Sequence, residues 1–353
     1  MRALAILLVF IAHWVPFEAA GRVIEWGRIG MVLFFTLSGF LITGILLRCR
    51  DHSPTPGTAL RAFYIRRTLR IFPIYYTLLA VLLLLGYEPV RKDLAWHLTY
   101  LANFSAAFIR PEGTYFAVSH LWSLCVEEQF YLLWGPMVLY FPPKGLWISS
   151  VAMIGGGIAF KLIGSLAGLS LWQVWVSTPG NLDTLGLGAL LAILLRDREA
   201  HVRLREWLLR WGPRIGLPGV LVLAWAHRTF EHSLAVYGAF FDISVGLIMG
   251  VLLESAAQDR RYALGALFSW APLRYVGKIS YGLYLFHQPV RRLLQAVWVR
   301  EFGVTLGNTG LSTFLLATCA TVGVAVLSWH LFENPINRLR GRFRYCGSIP
   351  GGA

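Results

Sequence analysis

The sequence predicts an all-α protein: a polytopic membrane bundle of about ten spanning helices with both termini on the cytoplasmic side. Three observations carry that prediction. The chain of 353 residues is 56% hydrophobic and only 14% charged, whereas a soluble domain would be about 25% charged. Apolar runs long enough to span recur from end to end. The arginines fall between those runs, as the positive-inside rule requires. The net charge of +14 would otherwise suggest nucleic acid. Its placement points to a lipid bilayer instead, at the inner (plasma) membrane, with no nucleic-acid partner.

The expected spans are 3–20, 29–47, 71–87, 121–141, 146–165, 181–195, 215–232, 236–254, 275–292 and 311–332. The first starts behind Arg2 and holds His13. It imitates a secretory signal but offers no persuasive small-residue cleavage site, so it reads as a retained helix. Eleven steps separate Arg2 from His13; that is three turns plus about 20°, so both lie on one face, roughly 16 Å apart. An ionisable group at such depth is a functional candidate, although a bonded structural histidine is an equal alternative.

The third span follows a basic stretch, with Pro73 in its first turn. There Arg66, Arg67 and Arg70 are either an ordinary positive-inside cluster or an anion clamp. Segment 92–109 is only moderately apolar. Trp96 and Tyr100 suit a headgroup belt, so this segment is kept out of the membrane. The fourth span carries adjacent Glu127 and Glu128, which are costly in lipid unless paired or facing water. They point about 100° apart, so only one faces a given cavity. Nearby Trp122 reads as an interface anchor.

In the sixth span, Asp183 either caps the helix after Asn181 or faces a ligand, and Gly186, Gly188 and Ala189 permit close packing. His287 followed by Pro289 ends the ninth span on the outer side. Glu333-Asn334-Pro335 ends the last on the inner side. One domain over 1–343 is expected, followed by a disordered tail, 344–353.

With 92–109 outside the membrane, the basic segments 48–70, 196–214, 255–274 and 338–344 share one side. Arg291, Arg292 and Arg300 fall on the other side and spoil the pattern. Cys49, Cys125, Cys319 and Cys346 have no metal-type spacing, so no metal site or disulfide framework is expected.

Six stretches together resemble the acyltransferase-3 family of membrane-bound O-acyltransferases. They are Arg2-x10-His13; FFTLSGFLIT at 34–43; the RRxxRIxPxYY pattern of Arg66, Arg67, Arg70, Pro73, Tyr75 and Tyr76; HLWSLCVEEQFY at 120–131; SYGLYLFHQP at 280–289; and FENP at 332–335. Cys125 stands where the family has a serine. Members usually carry several residues before the first arginine, where this chain has only Met1. Longer members fuse a hydrolase-like domain; the expectation here is a stand-alone enzyme.

The resemblance implies transfer of an acyl group, usually acetyl, from acyl-CoA to a hydroxyl of a carbohydrate or glycoconjugate. Acyl-CoA is then a donor substrate, with no bound cofactor. Coenzyme A phosphates are expected on Arg66, Arg67, Arg70 and Arg2. His13 is expected to deprotonate the acceptor or to carry the acyl group, with Glu128 or Glu127 setting its tautomer. His120, Tyr131, Asp183 and His287 complete the expected acceptor site. The rival readings are a transporter or flippase for a lipid-linked sugar, acylation of a macrolide-type small molecule, and an inactive scaffold.

Overall fold

The computed structural model describes residues 1–14, 25–110, 118–196, 202–229, 234–257, 263–303 and 311–343. The expected tail, 344–353, lies outside them. The long helices are α1 (Arg2–Trp14), α2 (Trp26–His52) and α3 (Pro56–Leu84), followed after three short helices by α7 (Trp122–Tyr140), α8 (Pro143–Leu166), and, beyond short α9 (Leu171–Val176), α10 (Leu182–Arg196), α11 (Val202–Thr229) and α12 (Leu234–Ala257). Short α13 (Ala263–Ser269) precedes α14 (Ala271–Phe302) and α15 (Leu311–Ser328); a π-helical turn, Trp329–Glu333, leads into α16 (Asn334–Leu339). Where they lie within the described residues, the expected spans fall on helices. Among the described residues, five helices are long and apolar enough to cross a membrane: α2, α3, α8, and the segments Ala235–Ser255 and Thr313–Arg342.

Segment 92–109 forms no single helix long enough to cross. After α4 (Glu88–Lys92) it holds only the short helices α5 (Leu94–Leu98) and α6 (Ala102–Phe108). Asp93 gathers the segment by accepting from Arg110 at 2.9 Å and Ser105 at 3.1 Å. Tyr100 is not a headgroup anchor. It is buried and stacks on Tyr75, with ring centroids 4.5 Å apart.

Two prolines lie deeper in helices than expected. Thr55 caps α3 and Pro56 opens it, so the helix starts early and Pro73 is internal. Pro289 likewise does not end α14. A proline cannot donate to the carbonyl four residues back, so that acceptor needs another partner. For Pro289 it is Leu285, whose oxygen takes His120 Nε2 at 3.1 Å. Pro136 in α7 frees Leu132 in the same way, and Tyr64 Oη donates there at 2.8 Å.

Small residues bring α2 and α10 into backbone contact. A Cβ on Gly39 would strike the Leu185 carbonyl oxygen, and one on Gly188 would strike that of Thr36. Contacts also join three of the four basic segments. Arg196 Nη2 meets Asp51 at 2.6 Å, and Arg66 Nη1 donates to the Arg340 carbonyl at 2.8 Å.

Candidate active site

Helix α1 delivers its two polar side chains to different cavities. Arg2 lines the first, which is partly open. His13 lines the second, which is also partly open. Met31 and Tyr284 line both cavities and form the wall between them. Tyr284 Oη donates to the His120 carbonyl at 2.8 Å and lies 2.6 Å from Ser123 Oγ.

The first cavity gathers Arg2, Arg67 and Arg70 with Glu127, Tyr131 and Ser38. Among the described residues, none of the three arginines forms a hydrogen bond or an ion pair with a side chain or carbonyl. Arg67 sits 4.9 Å from the Tyr131 ring centroid. The Ser38 hydroxyl donates to Glu127 and lies 2.9 Å from Tyr131 Oη. Three guanidiniums against one carboxylate leave this cavity with an excess of positive charge, and a planar guanidinium fork has the geometry to meet phosphate oxygens.

Arg66 is not part of it. About 100° round the helix from Arg67, it donates to the carbonyls of Arg340 and Phe343 at 2.8 and 3.0 Å. It ties the C-terminal segment to α3, which corrects the expected phosphate contact. The two glutamates separate as their helical angle requires: Glu127 lines the first cavity and Glu128 lines neither.

The partner of His13 is also a correction. Its Nδ1 lies 3.0 Å from the Gln288 side-chain amide, and neither glutamate bonds it. Arg291 Nη1 donates to the His13 carbonyl at 2.8 Å. A cation there satisfies a free carbonyl and opposes the negative end of the α1 dipole. Arg291 spoiled the charge pattern because it serves this helix end.

His120 lines the second cavity. His287 lines neither cavity. It is fully buried, with ring centroids 5.2 Å from His13 and 4.6 Å from His120, and its Nδ1 lies 2.6 Å from the Tyr284 carbonyl. Its expected contact with the acceptor becomes packing behind the two cavity-side histidines.

Asp183 moves further still. It lies in a buried ion cluster, 2.7 Å from Lys161 Nζ. Lys161 also meets Asp242 at 2.5 Å, and Asp242 holds Arg28 Nε at 2.6 Å. Two cations meet two fully buried carboxylates there, with Glu25 a further 3.8 Å from Arg28, so Asp183 braces the bundle and does not line either cavity. Trp122 is no interface anchor: it is buried and forms part of the second cavity's wall.

Sequence reasoning passed over Gln288, Arg28 and the Lys161–Asp242 pair. Each left a signal: Gln288 stands beside a noted histidine, and the others are polar residues inside apolar runs.

The family model described as an acyltransferase domain, of the acyltransferase-3 type, matches residues 1–330. Peptidoglycan O-acetyltransferase OatA of Listeria monocytogenes is 27% identical over 366 residues, covering 96% of this chain and 55% of that protein. O-acetyltransferase OatA of Staphylococcus aureus is 26% identical over 361 residues, covering 96% and 56%. YrhL of Bacillus subtilis is 30% identical over 367 residues, covering 95% and 54%. The chain spans about half the length of the curated relatives it matches. No solved structure matches.

Proposed function

The chain belongs to the acyltransferase-3 family, and on that premise we propose that it moves an acetyl group from acyl-CoA in the first cavity to a carbohydrate hydroxyl in the second. One observation carries the reading. Three arginines without hydrogen-bond partners among the described residues converge at one end of α1, and a bonded histidine faces an adjoining cavity at the other. That polarity suits a long donor with an anionic head and a distant reactive end. The activity of the OatA relatives, O-acetyltransferases by name and in Listeria monocytogenes a peptidoglycan O-acetyltransferase, supports acetyl as the group and a cell-wall glycan as the acceptor class.

In this reading the phosphates of coenzyme A rest on Arg2, Arg67 and Arg70 at the cytoplasmic face, and the thioester passes the Met31–Tyr284 wall. Gln288 turns its amide oxygen to Nδ1–H of His13, an exchange open to any carboxamide. Nε2 is then the free base. It takes the acceptor hydroxyl proton while that oxygen bonds the thioester carbonyl carbon. The C–S bond breaks, and the departing thiolate takes the proton from the imidazolium.

The test incubates purified protein with radiolabelled acetyl-CoA and chitotetraose, an N-acetylglucosamine oligosaccharide. Label on the sugar, lost in folded His13→Ala, is expected. Wild-type protein that leaves the thioester intact while moving a lipid-linked sugar across vesicles would replace the enzyme by a carrier.

A further inference from the structure

The second cavity has a wall that proton transfer does not use. Trp122, Trp172 and Trp175 all line it. Trp175 meets Trp122 edge-on at 5.3 Å and Trp172 at 6.0 Å between ring centroids. Both outer indoles ride on α9, which is only six residues long but firmly fixed. Ser170 and Gln173 close a capping box at its start. Trp172 Nε1 donates to the Ala106 carbonyl at 3.1 Å, and the Trp175 carbonyl accepts from Asn181 at 2.6 Å. The rings are therefore set before any ligand arrives.

The same cavity also presents Arg28, Glu25 and Ser119. Arg28 is held from behind. Its Nε donates to Asp242, and its Nη2 donates to the Gly238 carbonyl at 3.1 Å. Lys161 fixes the other Asp242 oxygen at 2.5 Å. Flat aromatic faces beside a few fixed charged groups match one kind of ligand ring. A pyranose shows a C–H face, apolar and slightly positive, that suits the negative face of an indole, and a rim of hydroxyls that bond to charged groups. A lipid tail would cover the indoles but make no use of the charged Arg28 and Glu25 side chains, 3.8 Å apart in the same wall.

We infer that Trp172 and Trp175 form an aromatic subsite for one pyranose ring of the acceptor, with Arg28 and Glu25 reading its hydroxyls. This rests on the proposed transfer to a carbohydrate and specifies how that substrate is held. It places the ring in the cavity that His13 lines, so a ring hydroxyl is presented to the imidazole.

Binding of labelled chitotetraose to the detergent-purified chain tests this apart from catalysis. We expect Trp175→Ala to weaken binding roughly tenfold or more, as for an aromatic anchor in a pocket. Trp175→Phe should recover most of it. In turnover, Trp175→Ala should raise KM for chitotetraose and leave KM for acetyl-CoA unchanged. Absence of wild-type binding, or unaltered binding by folded Trp172→Ala and Trp175→Ala proteins, would overturn the subsite. So would displacement of the sugar by phosphatidylglycerol with the same tryptophan dependence. Binding without acetyl transfer would leave the subsite standing and remove only the catalytic reading.

Discussion

The two cavities at the ends of α1 hold their basic groups in opposite ways. In the first, Arg2, Arg67 and Arg70 make no hydrogen bond among the described residues. In the second, His13 is bonded to Gln288, His120 to Leu285, and Arg28 to Asp242 and Gly238. Unpaired cations repel one another, so the first region is least comfortable without an anion. The second is already organised, so little reorganisation opposes a reaction there. The difference separates a region built to capture charge from one built to orient it.

Mutations can break that contrast. The largest effect is expected from His13→Ala, with acetyl transfer falling about 10²–10⁴-fold in a protein that still inserts and melts normally. Residual transfer near the wild-type rate would dissolve the distinction. Next is Lys161→Ala, which leaves buried carboxylates uncompensated and should cost about 3–5 kcal/mol of stability, read as a lower melting temperature. Replacing Lys161 by Met and Asp183 by Leu together should recover part of that loss.

Arg70→Ala should raise the donor KM roughly 10- to 100-fold, the worth of a charged hydrogen bond. Arg66→Ala should leave that KM unchanged, because its guanidinium is spent on the C-terminal carbonyls. Equal effects would merge the two arginines again. Gln288→Ala should be mildest, lowering kcat roughly fivefold for one lost orienting hydrogen bond, with both KM values unchanged.

The helices and their faces were legible in the sequence; their neighbours were not. Periodicity sets where a side chain points on its own helix, so Glu127 and Glu128 had to diverge, and they do. Helical phase alone does not say which helix lies opposite. Glutamate was therefore assigned to His13, where the fold supplies Gln288 from α14. Asp183 was aimed at a ligand because its partners, Lys161 and Asp242, come from two other helices. Proline alone suggests the start of a helix at 73 and the end of one at 289, yet both lie inside helices. In a packed bundle a side chain from another helix can take the freed carbonyl, as His120 does for Leu285. The basic segments were easier: their clustering depends on solvation at the membrane edge, which composition encodes directly.

The glycine contact between α2 and α10 has a mechanical result. Main chain rests on main chain at Gly39 and Gly188, leaving no side-chain cushion to compress, so neither helix can roll without collision. Met31 rides on the clamped member of this pair. If a thioester passes between the compartments as proposed, the movement that admits it comes from the other half of the doorway, the Tyr284 side chain or the helix that bears it.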